Sequence, residues 1–195
     1  DPGFIVDKKD DLLGIVLTHA HEDHIGAIAH IWPKLNCKIY ATPFTAVLIK
    51  EKFKEKHIDI TNDLKIVELN GKVSLEPFDI EYITLTHSIL EPNGLKIETP
   101  VGNILHTGDW KFDKAPGLGA DTDSTRLAEI GDEGVLAMVG DSTNAMVEGR
   151  TGSEAKAEAG LKAAIAAADG RVAVTCFSSN VARIQSIIQA ALARS

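Results

Sequence analysis

Cysteine, positive charge and long apolar runs are all scarce in this sequence of 195 residues. Its two cysteines, Cys37 and Cys176, lie far apart, which excludes a disulfide scaffold and favours a reducing, cytoplasmic compartment. The sequence has 20 Lys and Arg against 28 Asp and Glu, which gives a net charge of −8. This charge argues against a protein that coats nucleic acid through its overall charge, although it permits a local basic strip. The longest strongly apolar run, 135–139, is too short for a transmembrane helix, and no membrane partner is expected.

Composition and length indicate an ordered globular chain. Apolar residues make up 44% of the sequence and charged residues 25%, which is ordinary for a folded domain and excludes disorder as a description of the whole. The length suggests one domain or slightly more. No basic, apolar leader opens the sequence. Because the first residue is Asp1 and a helical pattern runs almost to the last residue, we expect a fragment of a longer protein.

Apolar periodicity predicts an α/β fold that is rich in strands in its first part and alternates helix, strand and helix in its second. The predicted strands cover 12–18, 38–40, 64–68, 72–75, 78–86, 95–99, 103–106, 134–139 and 171–177. The predicted helices cover 25–32, a segment from 43 onwards with a buried stripe of Phe44, Val47 and Leu48, then 122–130, 153–168 and 180–193. Pro33 is expected to end the first of these helices, and Thr42 to cap the second with Pro43 at its first position. Asn70-Gly71 is expected to form a hairpin turn, and Thr151 with Glu154 a capping box for the helix 153–168.

The densest group of metal-ligand residues follows the first predicted strand directly. His19, His21, Asp23 and His24 lie within six positions, and imidazoles and carboxylates are good ligands for Zn²⁺. A strand alternates its side chains, so His19 and His21 leave it on one side, while Asp23 and His24 lie at the turn into the next helix. One loop can therefore supply two ligands to each of two adjacent ions. The competing interpretation, surface histidines beside an N-cap Asp23, fits this density poorly.

Two further candidate ligands each follow a later predicted strand. His87 ends the strand 78–86, and Asp109 follows the strand 103–106. Taken singly, His87 is more often structural and Asp109 could form a turn after Gly108. Ligands at the same end of successive strands converge on one edge of a sheet, so together with the first loop they indicate one metal site. The remaining histidines given a structural interpretation are His30, His57 and His106.

The string HxHxDH at 19–24 resembles the signature of the metallo-β-lactamase superfamily. Four further phrases narrow the resemblance to the ribonuclease J family, which belongs to the β-CASP group: THSI at 86–89, HTGDWKFD at 106–113, GDSTN at 140–144 and TCFSSNVAR at 175–183. The resemblance covers essentially the whole chain. Ile89 departs from it, since the family usually has Pro there.

This resemblance implies an αββα metallo-β-lactamase sandwich over residues 1–148, incomplete because its first strands and its C-terminal part are missing. The start of a β-CASP α/β domain would follow over 149–195. The implied activity is metal-dependent hydrolysis of RNA phosphodiester bonds, as a 5′-to-3′ exonuclease and an endonuclease, in RNA processing and decay. The full-length protein would be a homo-oligomer.

The same resemblance assigns roles to individual residues. Two Zn²⁺ ions, with Mn²⁺ as an alternative, would be held by His19, His21, Asp23, His24, His87 and Asp109. Asp109 would bridge the ions, and Asp23 would also serve catalysis by orienting the hydroxide. Asp141 matches an acidic motif that pairs with a later histidine to protonate the leaving group. Ser178, Ser179 and Asn180 match a stretch that lines the RNA channel.

Structural interpretations of the last two assignments stay open. An Asp before Ser-Thr-Asn, such as Asp141, is also a common turn or N-cap residue. Backbone N–H groups after 178–180 could bind phosphate, but Ser179 or Asn180 could equally well cap the last helix. The candidates for a local basic strip are Lys111, Arg150 and Arg183, although isolated basic side chains are usually only solvated.

Three functions compete at this point. The first is a ribonuclease of the J type. The second is a small-molecule metallohydrolase, such as a thioesterase or lactonase, which usually completes its site within one domain. The third is an inactive fragment that only binds metal. The helix–strand–helix pattern after residue 149 favours the nuclease, because the small-molecule enzymes lack a β-CASP insertion.

Overall fold

The computed structural model describes residues 1–194, which form two β-sheets with helices on their outer sides. The strands are β1 (Ile15–Val16), β2 (Ile39–Ala41), β3 (Leu64–Ile66), β4 (Lys72–Leu75), β5 (Phe78–Thr84), β6 (Asn93–Thr99), β7 (Gly102–His106) and β8 (Ala137–Val139). The helices are α1 (Gly3–Val6), α2 (Glu22–Ile25), α3 (Ile28–Leu35), α4 (Pro43–Glu55), α5 (Ser124–Glu133), α6 (Glu154–Ala166) and α7 (Val181–Leu192), with a 3₁₀ turn at Lys9–Asp11. Within this described range, none of the helices combines the length and the apolar character needed to span a membrane.

The first sheet, sheet A, is parallel in the order β1-β2-β3. Parallel neighbours need crossover connections, which α2 and α3 supply between β1 and β2, and α4 between β2 and β3. Strand alternation turns Ile39 and Ala41 towards α3 and α4, where both are fully buried. The intervening Tyr40 faces the other way and packs against the second sheet.

The second sheet, sheet B, has the order β4-β5-β6-β7-β8 and is antiparallel except for the parallel β7–β8 pair. The crossover between β7 and β8 contains α5. In β5, Ile80 and Tyr82 point towards sheet A, whereas Ile83 points towards α5. The Tyr82 hydroxyl donates a hydrogen bond to the carbonyl of Tyr40 at 3.1 Å and so joins the two sheets.

Three apolar clusters define a four-layer αββα arrangement. One lies between α3, α4 and sheet A, one between the two sheets, and one between sheet B and α5. Each sheet therefore buries one face against the other sheet and one face against helices, as layered domains require. The predicted α/β class and αββα architecture are confirmed.

Several predicted details of the first part are wrong. Pro33 lies inside α3, which continues to Leu35 and ends where Asn36 adopts the left-handed conformation; proline costs this short helix only one backbone bond. Asn70-Gly71 is not a hairpin turn, because β3 and β4 belong to different sheets. The side-chain oxygen of Asn70 instead accepts a hydrogen bond from the Thr84 amide at 2.8 Å.

The buried stripe of α4 also differs from the prediction. The buried side chains are Thr45, Ala46, Ile49 and Phe53, whereas Val47 is 58% exposed. Phe44 and Leu48 are only partly buried at the edge of the same cluster. The spacing 45, 49, 53 is helical, but apolar periodicity misses it because a threonine occupies one of its positions.

In the second part, two predictions about strands are wrong: that 134–139 forms a buried strand, and that 171–177 forms a strand. Strand β8 is three residues long and exposed, with Met138 67% accessible, because it has a neighbour on one side only. The segment 171–177 forms no strand: among residues 1–194 nothing pairs with it, and Phe177 is 85% exposed. Helix α6 is capped by Ser153, which accepts a hydrogen bond from the Lys156 amide, rather than by Thr151.

The domain boundary at 148/149 stays a prediction. Ser195 lies outside the described residues.

A charge network on α5 makes the stability of the fold depend on pH. Hydrogen bonds from Lys96, and then from Arg126, lower the pKa of Glu133 from its ordinary value of 4.5 to about 2. A carboxyl group whose pKa is lower when folded stabilises the protein above its unfolded pKa, and that contribution is lost as the pH falls through the folded pKa. We expect the melting temperature to fall between about pH 4.5 and pH 2, less steeply in Glu133→Gln. If the melting temperatures of the two proteins fell equally over this pH range, the prediction would be wrong.

Candidate metal centre

The loop after β1 brings the first ligand-type side chains to one rim of the sandwich. His19 is fully buried, and its Nδ1 lies 3.1 Å from the hydroxyl of Thr18. Its Nε2 is buried too and has no hydrogen-bond partner among the described residues. A buried polar nitrogen without a partner is costly. The ring is therefore held by its neighbour with its other nitrogen free to bind a ligand, which is the arrangement of a metal-binding histidine.

His21 and His87 meet from two different loops. His21 has extended backbone at the N-cap of α2, where the chain turns from sheet A into the helix. His87 follows β5 and lies in sheet B's connection to β6. The His87 Nε2 atom lies 3.1 Å from His21 Nδ1. The two sheets thus present their histidines to one point, whereas the prediction placed all of these ligands on one edge of a single sheet.

Asp109 lies between the imidazoles. Its Oδ2 atom is 3.3 Å from the Nε2 of His24, and 3.9 Å from the Nε2 atoms of both His19 and His87. Asp23 approaches from the outer side, with its Oδ2 atom 3.5 Å from His24 Nε2. Asp23 is largely exposed and Asp109 partly so.

These side chains form two groups. Within each group, the ligand atoms all lie within 4.8 Å of one another. The first contains His19, His21, His87 and Asp109, and the second contains Asp23, His24 and Asp109. All six predicted metal ligands are therefore brought together, and the shared residue is the one predicted to bridge. The donor set of imidazole nitrogens and carboxylate oxygens, with an unpartnered buried nitrogen at its centre, fits divalent cations of the Zn²⁺ type.

The backbone before Asp109 is held in an unusual shape. Gly108 has φ +57° and packs against the Asn93 carbonyl and the Thr18 side chain, so close that a Cβ atom would lie 2.7 Å from the carbonyl oxygen. The Gly108 amide donates to Nδ1 of His106 at 3.0 Å. The structure thus agrees with a structural role for His106, because its ring accepts a hydrogen bond from the backbone just before Asp109.

Burial keeps the central imidazoles neutral. It lowers the pKa of His19 to about 3, with further lowering by the charges of His24, His21 and His87. Burial also lowers the pKa of His21, against the opposing effect of Asp23 and Asp109. The pKa of His87 is lowered by burial and then by His21. Neutral imidazole is the form that binds a cation, so the site is ready for metal at neutral pH.

Asp141 lies close enough to the cluster for its charge to affect His87. Its carboxylate accepts the amide of Thr143 at 2.8 Å, and its own amide donates to the Thr107 hydroxyl. The hydrogen bonds from Thr143, and more weakly from Trp110, lower the pKa of Asp141. The side chain therefore makes the turn contact that the sequence left open as an alternative, and it also carries a negative charge beside the candidate metal centre.

The segment 178–180 shows the capping role that its sequence left open. Asn180 is the N-cap of α7 and accepts the Arg183 amide at 3.0 Å. It also lines a narrow recess together with His87 and Ser88. Ser178 is exposed and Ser179 partly buried. Capping and proximity to the metal centre are therefore not exclusive at Asn180.

Two residues that support the site have no signal in the sequence. Asn93 is fully buried, and its side-chain amide donates to the carbonyls of Thr18 at 3.0 Å and of Glu91 at 2.7 Å, which ties the two ligand loops together. Glu91 accepts the Phe44 amide at 2.8 Å and so caps α4, a role that the side chain of Thr42 does not fill. The Asn93–Thr18 and Glu91–Phe44 contacts join residues far apart in the chain, which local patterns do not reveal.

Comparison with known proteins agrees with this geometry. Residues 4–177 match the family model described as the metallo-beta-lactamase superfamily. The chain is 45% identical over 193 residues to "Ribonuclease J" of Sinorhizobium meliloti and 34% identical over 191 residues to "Ribonuclease J2" of Bacillus subtilis, each alignment covering 98% of this chain and 34% of the relative. This chain thus spans about a third of the length of these curated relatives.

A solved structure supports the fold independently. A protein of unknown function from Enterococcus faecalis V583 superimposes with a TM-score of 0.64 at 17% identity, covering 90% of this chain and 44% of that one. Similarity at this level of identity concerns the fold alone. Together, the αββα layers, the six convergent ligand-type side chains and the family match over most of its length show that this chain belongs to the metallo-beta-lactamase superfamily.

Proposed function

We propose that this chain carries the metal centre of a ribonuclease similar to ribonuclease J, which hydrolyses RNA phosphodiester bonds with 5′-to-3′ exonuclease and endonuclease action. The observation that carries the proposal is the pair of ligand groups that share Asp109. Two cations side by side suit phosphodiester hydrolysis, because they can stabilise the attacking and the leaving oxygen together. The relatives named ribonuclease J supply the substrate class.

We further propose Zn²⁺ as the cation, with Mn²⁺ as the alternative. Three neutral imidazoles around one position favour a borderline ion over a hard, oxygen-seeking one. The residues that would hold the first ion are His19, His21 and His87; those for the second are Asp23 and His24, with Asp109 bridging. When bound, such ions supply a Lewis acid and a water molecule that ionises near neutral pH.

Side chains around this centre would bind and orient the substrate. Asp23 lies on the exposed side of His24 and is the proposed partner for the attacking water. Asp141, with its lowered pKa, is ionised at neutral pH and therefore suits orienting a proton donor rather than donating a proton itself. A cavity of about 940 Å³ opens beside Asp141 and is lined by Trp110, Phe112 and Arg150 among others. Its size suits a nucleotide, and Ser178, Ser179 and Asn180 are proposed to continue the path for RNA.

The test uses the full-length protein with 5′-monophosphorylated RNA and added Zn²⁺ or Mn²⁺. We expect release of mononucleotides and internal cleavage products, both abolished by a chelator and restored by metal. A thioester and a lactone serve as control substrates under the same conditions. Hydrolysis of either control substrate without RNA cleavage would replace the nuclease by a small-molecule hydrolase, and metal binding without any hydrolysis would leave a binding role only.

We propose a cytoplasmic location, supported by the free thiols of the buried Cys37 and the exposed Cys176. Homo-oligomerisation of the full-length protein also stays a proposal. Size measurement by light scattering on that protein tests it.

A further inference from the structure

Four charged side chains connect the metal centre with helices α6 and α7. They are Lys111, Asp113, Glu154 and Arg183, and we refer to them as the charge clasp. Arg183 Nε donates to Glu154 Oε2 at 3.0 Å, and its Nη2 donates to Oε1 at 3.2 Å. Lys111 Nζ lies 3.1 Å from Asp113 Oδ2 and 3.4 Å from Glu154 Oε1. A fork of this kind fixes direction as well as distance.

The two carboxylates of the clasp are buried. The side chain of Asp113 is fully inaccessible, and that of Glu154 is 9% exposed. Asp113 also accepts the backbone amides of Ala115 and Glu154, each at 2.9 Å, so it holds the first residue of α6 in place. Buried carboxylates need such partners, since an unpaired buried charge is strongly destabilising. The clasp is therefore a fixed contact and not a loose surface pairing.

One end of the clasp is attached to the ligand-bearing loops. The Lys111 amide donates to the Thr86 carbonyl at 2.9 Å, and the Asp113 amide donates to the Thr86 hydroxyl at 3.2 Å. Thr86 immediately precedes His87, and Lys111 follows Asp109 by two residues. The backbone that presents two of the candidate ligands is thus the same backbone that presents Lys111 and Asp113.

The other end is attached to the start of α7. Arg183 lies in the first turn of that helix, whose N-cap is Asn180. Asn180 and Glu154 line the narrow recess beside His87. Glu154 accepts the forked hydrogen bonds of Arg183 and also pairs with the ammonium group of Lys111. It is therefore the one residue of the clasp that joins the two basic side chains.

We propose that Glu154 is a positioning residue, which seats the N-terminus of α7 beside His87 and so sets the place of bound RNA relative to the metal centre. This inference rests on the proposed ribonuclease function for its substrate. Glu154 acts through Arg183 and does not touch the candidate ligands themselves. The ligands are fixed by other contacts, so the clasp governs the alignment of substrate and not the binding of metal.

The test compares the full-length protein with its Glu154→Gln variant, which keeps the shape of the side chain and removes its charge. We expect hydrogen exchange of the amides at 181–184 to accelerate about tenfold or more. The bound metal per chain should be unchanged, while KM for RNA should rise about tenfold and kcat change less than about twofold. Arg183→Gln changes the partly exposed partner of this ion pair and should give the same pattern. The double variant should show no larger change in exchange or KM than either single variant.

The matched control is Glu158→Gln, one turn further along α6, where the carboxylate pairs with Lys162 of the same helix. It should leave exchange, metal content and KM as in the unaltered protein. Unchanged exchange at 181–184 in both clasp variants overturns the inference. So does faster exchange with an unchanged KM, which would make the clasp purely structural. Failure of the unaltered protein to cleave RNA would instead refute the proposed function, and the exchange result would still decide whether the clasp seats α7.

Discussion

Replacement of Asp109 by Asn is expected to remove metal from the full-length protein and to lower RNA cleavage by at least about a hundredfold. Asp109 is the residue shared by both ligand groups, and its carboxylate faces three imidazoles at 3.3 to 3.9 Å. The amide has almost the same shape but offers no negative charge to offset a pair of cations. Elemental analysis of the folded variant and its cleavage rate measure the two effects.

Asp132→Asn provides the matched control, because it removes the same charge from the exposed surface of α5. It should bind metal and cleave RNA like the unaltered protein. If Asp109→Asn kept two ions per chain, Asp109 would not be the bridging ligand. If it lost metal but kept cleavage, the metal centre would not be the site of hydrolysis.

The second large effect is expected from Gly108→Ala. The left-handed φ of +57° costs an L residue about 1–2 kcal/mol. The added Cβ would also lie 2.7 Å from the Asn93 carbonyl oxygen, a backbone atom that cannot move without displacing β6. We expect a loss of about 2–4 kcal/mol in the free energy of unfolding and metal binding at least about tenfold weaker, since Asp109 is the next residue. Denaturant unfolding and chelator competition measure these quantities.

Gly131→Ala is the control for this prediction. Gly131 lies inside α5, where an added Cβ meets nothing within 4 Å. The same substitution should stabilise the protein there by about 0.5–1 kcal/mol, because alanine favours the helix. Equal stability and equal metal affinity of Gly108→Ala and the unaltered protein would show that the loop before Asp109 can relax.

The candidate site was easier to predict than the elements around it. The first four ligands lie within six positions, and His87 and Asp109 each follow a strand, so the sequence could group these residues. That the two sheets meet at the site, instead of one sheet edge presenting all six ligands, could not be predicted. The αββα layers followed from the resemblance alone, while apolar periodicity predicted only the α/β class. Both depend on patterns that a single sequence displays.

What could not be predicted depends on contacts between distant residues. Asn93 and Glu91 support the ligand loops through hydrogen bonds to Thr18 and Phe44, and a lone Asn or Glu carries no local sign of such a partner. The segment 171–177 has a strand-like composition, but strand formation needs a neighbour, and the described residues provide none. Asn70-Gly71 has a typical hairpin sequence, yet the chain leaves one sheet there and enters the other.

The bond between Glu91 and Phe44 has a consequence for the entropy of metal uptake. The connection that begins with His87 is fixed at one end by β5 and at the other by a helix 47 residues away in sequence. A segment restrained at both ends has few conformations left to lose when a cation arrives. The ordering of His87 is thus achieved when the chain folds, so more of the intrinsic affinity of the imidazole remains for the ion.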